Sequence, residues 1–272
     1  MTDVHALDAL PPQPAWLRFA RRSGVRALRL AVISVLAAVV LGLVWQGVVS
    51  LFHISSFVLP RPTQVVSDAQ WSQVRDATQH TIVRVVVGFA AGNLFGVALA
   101  LLTVASRFVA ALLYPFALSF RSIPIVALAP FITLALGRGL PAIVVITTLL
   151  VFFPTYVNVL LGLRSVDRQL LELMRVLNCS KAQVFFRVRL PTALPAVMSS
   201  LRIAAPTAVL GVLIGEWIIG VNGLGQLILN DSINLDLPTM WAGVLVAAVL
   251  SLVAFAAVGV AERSVLNWRR QE

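Results

Sequence analysis

Few residues in this chain have types and spacing that could do chemistry, and none of their patterns is catalytic. The three histidines are His5, His53 and His80, and the one cysteine is Cys179. No GxxxxGK[ST] phosphate loop, HExxH zinc pair or GxSxG nucleophile turn occurs in the sequence. An ATPase, a metal centre and a membrane enzyme therefore have no constellation of residues to rest on, and a single cysteine excludes an internal disulfide.

The charged residues favour binding and coupling over catalysis. A polar, basic island over residues 164–202 separates two long apolar segments and contains Glu172. Arg121 is a charge well inside another apolar segment, and Glu216 lies near the end of the segment that follows the island. A charge inside a membrane-spanning segment is energetically costly and usually marks a functional position.

The composition indicates an integral membrane protein. The chain is 59% hydrophobic, and only 12% of its residues are charged. Its mean hydropathy is +0.94. A soluble domain would be about one quarter charged. The fold class that follows is all-α and polytopic.

Six segments are apolar and long enough to cross about 30 Å of hydrocarbon, which takes roughly 20 residues of helix. They are residues 30–51, 81–104, 109–136, 141–163, 193–219 and 240–261. Pro115, Pro124 and Pro130 interrupt the third segment. Proline leaves backbone carbonyls unpaired, so this span is expected to be kinked or broken and packed against protein.

Positive charge indicates the orientation. Sixteen of the 21 Lys and Arg residues fall on one side of these segments, and three, Arg61, Arg75 and Arg138, fall on the other. Such asymmetry predicts that both termini and the basic island lie in the cytoplasm. The final external loop, residues 220–239, has Asp231 and Asp236 and no positive residue. The excess charge fits affinity for anionic membrane lipid, and nucleic-acid binding is not expected.

The predicted organisation has five parts. Residues 1–29 form a cytoplasmic tail with an amphipathic interfacial helix, because arginines recur there at three- and four-residue steps. A signal peptide is the alternative for this segment. Residues 30–52 are the first membrane helix, 53–80 a periplasmic loop, 81–263 the transmembrane core and 264–272 a cytoplasmic tail.

Two of the predicted spans contain residues with a candidate role. Gly88, Gly92 and Gly96 recur every four residues on one face of the second span, as in a helix-packing surface. Arg84 in the same span lies near its outer end, where its side chain would reach the interface. In the third span, a broken helix near the midplane is where transport pathways are built, which makes pathway candidates of Arg121, Ser122 and Pro124. The alternative for Arg121 is a structural role, capping carbonyls freed beside Pro124.

A helix–turn–helix is predicted within the basic island. Residues 169–177 are good helix formers without glycine or proline. Asn178 can take the left-handed conformation that ends a helix. Ser180 can then cap a second helix that runs to about Leu190, before Pro191 and Pro195 lead into the fifth span.

Several motifs resemble bacterial ABC importer permeases of the sulfonate, taurine and nitrate group. The order and spacing of residues in the island match the family's "EAA…G…I.LP" signature; these residues are Glu172, Leu173, Met174, Asn178, Val188, Leu190 and Pro191. Leu173 and Met174 replace two alanines, and Asn178 replaces the glycine. The LPRPTQV run from Leu59, the run around Pro124 and the GE…GLG.LI run from Gly215 are similar to family motifs as well.

The resemblance implies a permease with six membrane helices and a cytoplasmic coupling helix between the fourth and fifth. Two copies of a separate ATPase, which bind the ATP and Mg, would dock at residues 169–191, and this chain would hold no cofactor. A second copy of the chain would form a homodimer. A periplasmic or lipid-anchored substrate-binding protein would dock near Gly223, Leu224 and Gly225. Glu216 is a further pathway candidate, or a carboxylate hydrogen-bonded to loop amides. The expected location is the bacterial inner membrane.

Two other function classes remain in view. A self-sufficient secondary transporter should carry acidic residues inside its spans for ion coupling, and Glu216, near an end, is the only acidic residue there. A membrane enzyme or scaffold lacks a catalytic cluster. The solute expected from the resemblance is a small organic anion such as a sulfonate or taurine, with nitrate or bicarbonate next.

Overall fold

The computed structural model describes residues 36–37, 39–120 and 124–269, and within these it contains only helices and the turns that join them. The all-α prediction is confirmed for this part of the chain. The chain divides into two compact units, residues 1–64 and residues 65–272. The predicted amphipathic helix over the N-terminal 29 residues lies outside the described residues.

The first unit contains helix α1, Val39–Leu51. The segment that follows is turned and ends where helix α2, Pro62–Asp68, begins. The side chain of Gln64 closes this turn, because its Oε1 accepts hydrogen bonds from Ser56 Oγ at 3.3 Å and from the Arg61 amide at 3.0 Å. Proline at the first position of α2 supplies a φ suited to a helix start.

The second unit is built on three long helices. They are α3 (Trp71–Ala105), α6 (Leu140–Arg164) and α9 (Leu190–Ile219). Helix α6 packs against both α3 and α9, and α11 (Leu237–Arg269) packs on α9. The largest core cluster includes Ile143 and Ile146 of α6 with Val209 and Val212 of α9, all fully buried. The centre of the bundle is therefore the α6–α9 contact.

The glycine face of α3 meets α6. A Cβ added to Gly88 would lie 2.7 Å from Thr147 Cγ2, and one added to Gly92 would lie 2.6 Å from Val151 Cβ. A Cβ on Gly96 would lie 2.7 Å from the carbonyl oxygen of Phe152. The two backbones thus approach more closely than any side chain permits, which is the arrangement that small residues allow between membrane helices.

Polar side chains fix the same pair of helices in register. Thr155 Oγ1 of α6 donates to Asn93 Oδ1 of α3 at 2.8 Å, and both residues are buried. Nearer the end of α3, the hydroxyls of Thr103 and Tyr156 lie 3.2 Å apart. Hydrogen bonds between helices in an apolar surrounding stabilise one alignment over others.

The third predicted span is broken. Helix α4 covers Arg107–Phe120 and helix α5 covers Ile125–Leu136. Pro124 has extended backbone (φ −65°, ψ 112°) and stands directly before α5. Pro115 and Pro130 lie inside helices, so of the three prolines only Pro124 coincides with a helix boundary. Arg121 and Ser122 lie outside the described residues.

Two helical boundaries differ from the predictions. Helix α3 begins at Trp71, ten residues before the apolar segment that starts at Thr81. The external loop over residues 220–239 contains helix α10, Leu224–Asn234. At α3, apolarity marks where a helix can meet lipid, whereas residues 71–80 contain no glycine or proline and extend the helix beyond that point. Helix α10 is a separate helix of 11 residues, too short to be recognised from the sequence as a membrane span.

Four helices in the described part are long and apolar enough to cross a membrane. They are Trp71–Ala105, Leu140–Arg164, Lys181–Ile219 and Leu237–Leu266. Two further apolar helices, Val39–Leu51 and Ile125–Leu136, are shorter. The count of six spans stays a prediction.

Candidate functional site

The predicted coupling segment begins with helix α7, Arg168–Val176. Asp167 caps its start, since the carboxylate Oδ1 accepts a hydrogen bond from the Gln169 amide at 3.0 Å. Asn178 ends it with left-handed backbone, φ 52°, as the sequence predicted. The Cys179 amide donates to the Met174 carbonyl at 3.0 Å and closes the turn. A short helix with a fixed cap at each end is a rigid body.

The second half of the segment starts as predicted and ends differently. Ser180 forms a capping box with Gln183, in which each side chain accepts from the other residue's amide, and helix α8 covers Lys181–Val184. The helix does not stop at Leu190. It passes through one π-helical turn, Phe185–Arg189, directly into α9.

The π turn joins α8 to the start of α9, where Pro191 stands. The Leu190 amide donates to the Phe185 carbonyl, five residues back. Proline lacks an N–H and cannot continue the ordinary ladder, but it is tolerated in the first turn of a helix. Pro191 stands at the start of α9. The result is one continuous helical segment, Lys181–Ile219, of 39 residues.

Large apolar side chains are exposed at the end of α7 and in the π turn. Val176 is 79% exposed, Leu177 is 62% exposed, Phe186 is 64% exposed and Leu173 is 52% exposed. Glu172 is exposed beside them, whereas Met174 is half-buried. We call Leu173, Val176, Leu177 and Phe186, with Glu172, the coupling surface. A patch of large apolar side chains within reach of many charges is typical of a protein interaction site.

Other residues of the island connect this surface to the bundle. Val188 is 7% exposed. Phe185 packs against the cluster that contains Tyr156, Leu160 and Leu163 of α6. Leu190 and Pro191 follow where α9 begins, Leu190 being 39% exposed and Pro191 half-buried. The apolar contacts of the π turn thus anchor the coupling surface to α6.

The far end of α9 carries a buried polar network around Glu216, which is 0% exposed. Arg84 Nη1 of α3 donates to Glu216 Oε1 at 2.7 Å. The Thr81 hydroxyl lies 3.0 Å from both carboxylate oxygens, and the Gly225 amide donates to Oε2 at 3.0 Å. Thr81 and Arg84 come from α3, Glu216 from α9 and Gly225 from α10, so the network joins three helices.

The GLG run is explained by this carboxylate. A Cβ on Gly223 would overlap the Glu216 carboxylate, and one on Gly225 would overlap the Leu213 carbonyl oxygen. The Leu224 amide donates to Thr81 Oγ1 at 2.9 Å, and Arg84 donates also to the Asn222 carbonyl. The loop therefore passes directly over the buried ion pair. We call Thr81, Arg84, Glu216 and Gly225 the buried latch.

The pathway candidates are not brought together in the described residues. Pro124 is exposed before α5. Glu216 lies inside the buried latch with both carboxylate oxygens hydrogen-bonded, which is the arrangement of its structural alternative. The role of Arg84 in pairing with Glu216 was missed. The available signal was one acid and one base in separate apolar segments, since such charges are normally paired.

The comparison with known proteins agrees with this architecture. The family described as the binding-protein-dependent transport system inner membrane component matches residues 92–267. The chain is 33% identical over 219 residues to the formylaminopyrimidine transport permease protein ThiX of Halalkalibacterium halodurans, a match that covers 79% of this chain and 88% of that protein.

A second relative and a solved structure are also similar to this chain. The chain is 29% identical to the putative aliphatic sulfonates transport permease protein SsuC of Bacillus subtilis, over 83% of each chain. A solved structure of the MetNI methionine ABC transporter in an inward-facing conformation has a TM-score of 0.61, covers 72% of this chain and 97% of that chain, and is 24% identical, which supports the fold. The chain therefore belongs to the family of binding-protein-dependent transport system inner membrane components, the ABC importer permeases.

Proposed function

We propose that this chain is the membrane-spanning subunit of an ATP-driven importer for a small solute, and that its coupling surface binds a separate ATPase. The observation that carries the proposal is the coupling surface, a set of exposed apolar side chains in α7 and the π turn, beside the start of one continuous helix. Such a face is costly in water, and a protein partner that covers it removes that cost.

The continuous helix gives the coupling a mechanical basis. A helix of 39 residues is roughly 55–60 Å long, more than the thickness of a bilayer. A displacement of α7 by a partner is transmitted through the turn at Asn178 into this helix. Because α9 packs along α6, the motion becomes a shift of helices and not a rearrangement of a loop. ATP binding and hydrolysis in the partner would in this way alternate access to the pathway.

The proposed assembly follows the prediction from charge and family. Six spans would place both termini and the coupling surface in the cytoplasm of a bacterium. Two copies of this chain would line one pathway, with two ATPase subunits below and one binding protein outside. ATP and Mg belong to the ATPase subunits. Arg121, Ser122 and Pro124 remain the proposed pathway residues. Glu216 we assign to the buried latch, a positioning role.

The solute class has two candidates. The sulfonate motifs and the relative named for aliphatic sulfonates favour a small organic anion. The relative named for formylaminopyrimidine favours a small nitrogen heterocycle. Uptake of labelled taurine and of a labelled aminopyrimidine into proteoliposomes, each with and without ATP inside, would decide between them.

The coupling proposal is tested by copurification from native membranes. The tagged chain is compared with Glu172→Lys and with Asp68→Lys, a charge reversal at an exposed residue of α2. We expect an ATPase subunit to copurify with the wild type and the α2 control and to be lost from Glu172→Lys. Solute transport by the wild-type chain alone, with no ATPase bound, would overturn the proposal in favour of a self-sufficient carrier.

A further inference from the structure

A cavity of about 280 Å³ lies beside the buried latch, between the start of α3 and helix α10. Its polar lining consists of Gln73, Asp76, Asn222, Gln226, Asn230 and Asp231. The volume is just below the range of about 300–1,000 Å³ that is usual for drug-sized ligands. A cavity of this size has room for the end of one side chain.

Two oxygen atoms of lining residues are buried and lack a hydrogen-bond partner among the described residues. They are Asp231 Oδ2 and Gln226 Oε1. Asp231 as a whole is 9% exposed. The amide nitrogen of Gln226 is already used, because Nε2 donates to Asn230 Oδ1 at 2.8 Å. Buried acceptors without donors are rare in proteins, and each calls for an explanation such as an unseen ligand.

The lining is also acidic, and Arg84 of α3 is engaged elsewhere. Asp76 adds a second carboxylate, contacted by Asn222 Nδ2 at 3.5 Å and by His80 Nε2 at 3.9 Å. Arg84 is committed to Glu216 and to the Asn222 carbonyl. Burial, and then the negative charge of Asp236, raise the pKa of Asp231 above its ordinary value. The lining residues therefore supply two carboxylates and no positively charged side chain.

We propose that this cavity is a receptor for a guanidinium or ammonium group, supplied by an Arg or Lys side chain of the external binding protein. A guanidinium carries five N–H donors and no acceptor, which complements two carboxylates and an unpaired amide oxygen. A metal ion is a poorer fit, since the described residues contain no group of three or more His, Cys, Asp or Glu side chains that could hold one.

The location gives the contact a consequence. The cavity shares α10 and Asn222 with the loop that closes over the buried latch, so a side chain bound here touches the segment that Glu216 holds in place. Docking outside would in this way be sensed by the end of α9. This part of the inference rests on the proposed function, because it requires that α10 faces the binding protein.

The cation site is tested on the full-length chain in lipid nanodiscs, without any partner. The probe is N-acetylarginine amide, and the control ligand is N-acetylcitrulline amide, which has nearly the same shape without the charge. Saturation-transfer NMR should detect the arginine compound and show a signal about tenfold weaker for the citrulline compound. Asp231→Asn and Asp76→Asn should each remove the arginine signal, and Asp68→Asn, outside the cavity, should leave it unchanged. Equal signals from both compounds, or binding that survives both cavity variants, would overturn the site.

A second arm tests the source of the cation. Stimulation of ATP hydrolysis by the binding protein is measured in the reconstituted complex, with Asp231→Asn and Asp68→Asn compared. Loss of stimulation in Asp231→Asn alone, with basal hydrolysis unchanged, supports docking through this cavity. Unchanged stimulation overturns the docking assignment even where the arginine compound binds. Failure to obtain any complex with an ATPase bears on the proposed function and leaves the NMR result to decide the site.

Discussion

The two ends of helix α9 are built on opposite principles. At the coupling surface, the side chains are exposed and, apart from Glu172, apolar, and local caps at Asp167, Asn178 and Ser180 define the structure. At the buried latch, the side chains are polar and enclosed, and contacts between distant residues define it. The comparison suggests a division of labour. In our proposal, the coupling surface is exposed for a partner to bind and displace. The buried latch holds the other end in place, so a displacement tilts the helix about that end.

The largest effect on stability is expected from breaking the latch. Arg84→Met leaves the Glu216 carboxylate buried without its counter-charge, which should cost about 3–5 kcal/mol of unfolding free energy. The double variant Arg84→Met/Glu216→Gln should recover much of this loss, because no charge then remains unpaired. Thermal unfolding of the purified chain in nanodiscs measures both. An Arg84→Met variant as stable as the wild type would contradict a stabilising role for the buried latch.

Substitutions at the coupling surface should have the opposite effect, lowering affinity for the ATPase while leaving stability nearly unchanged. Val176→Asn/Phe186→Asn replaces two exposed apolar side chains, so unfolding free energy should change by no more than about 0.5 kcal/mol for each. Affinity for the ATPase should fall by about 2 kcal/mol, roughly 30-fold, if these residues are central to the interface. Surface plasmon resonance with the ATPase measures the loss, with Phe57→Asn as the matched exposed control. Equal affinity of variant and control would remove the distinction between the two ends.

A smaller effect is expected where the loop crosses the latch. Gly223→Ala forces a methyl group into the space of the Glu216 carboxylate and should cost about 1–3 kcal/mol. Gly42→Ala is the matched control, because an added Cβ there meets nothing within 4 Å. Thermal unfolding of the two variants is compared. Gly42→Ala should leave the unfolding temperature unchanged or raise it slightly, because alanine is the better helix former. A Gly223→Ala variant that is as stable as the wild type would mean that the carboxylate moves aside at little cost.

The difference between the two ends also explains what could be predicted from sequence. Asn178 and Ser180 act within a few residues of their own position, so the helix–turn–helix was predictable from local preferences. The pairing of Arg84 with Glu216 joins residues 132 positions apart, and no local rule reaches that far. The resemblance supplied the GLG run but not its reason, which is the carboxylate beneath it.

The continuity of α8 with α9 was not predicted, and the reason is a different one. Pro191 was interpreted as the entry to a separate span, because proline usually marks a boundary. A single π turn, Phe185–Arg189, shifts the hydrogen-bond pattern by one residue and joins α8 to the first turn of α9, where proline is tolerated. Sequence rules for helix ends assume the hydrogen-bond pattern of an α-helix, so they do not predict a π turn that joins two helices. The rule did hold at Pro124, where the backbone is extended.

Glu216 and Asp231 lie on the side of the molecule that holds the buried latch, but their carboxylates differ in hydrogen bonding. Glu216 has all its hydrogen bonds, whereas Asp231 has a buried oxygen without one. The pKa of Asp231 is raised by burial and by Asp236, so the folded state binds its proton more tightly than the unfolded state does. The stabilisation is therefore full below the ordinary carboxylate pKa near 3.8 and is lost as pH rises through the higher folded value.

Asp231→Asn should remove this contribution. Between the ordinary carboxylate pKa and neutral pH, the unfolding temperature of the wild type should fall relative to that of the variant, by a small amount. N-acetylarginine amide should oppose the fall in the wild type alone, because a bound cation stabilises the ionised carboxylate. If the unfolding temperatures of the two proteins change in parallel with pH, with and without the compound, the Asp231 carboxylate already has hydrogen-bond partners in solution. Asp231 and Glu216 would then both have a structural role only.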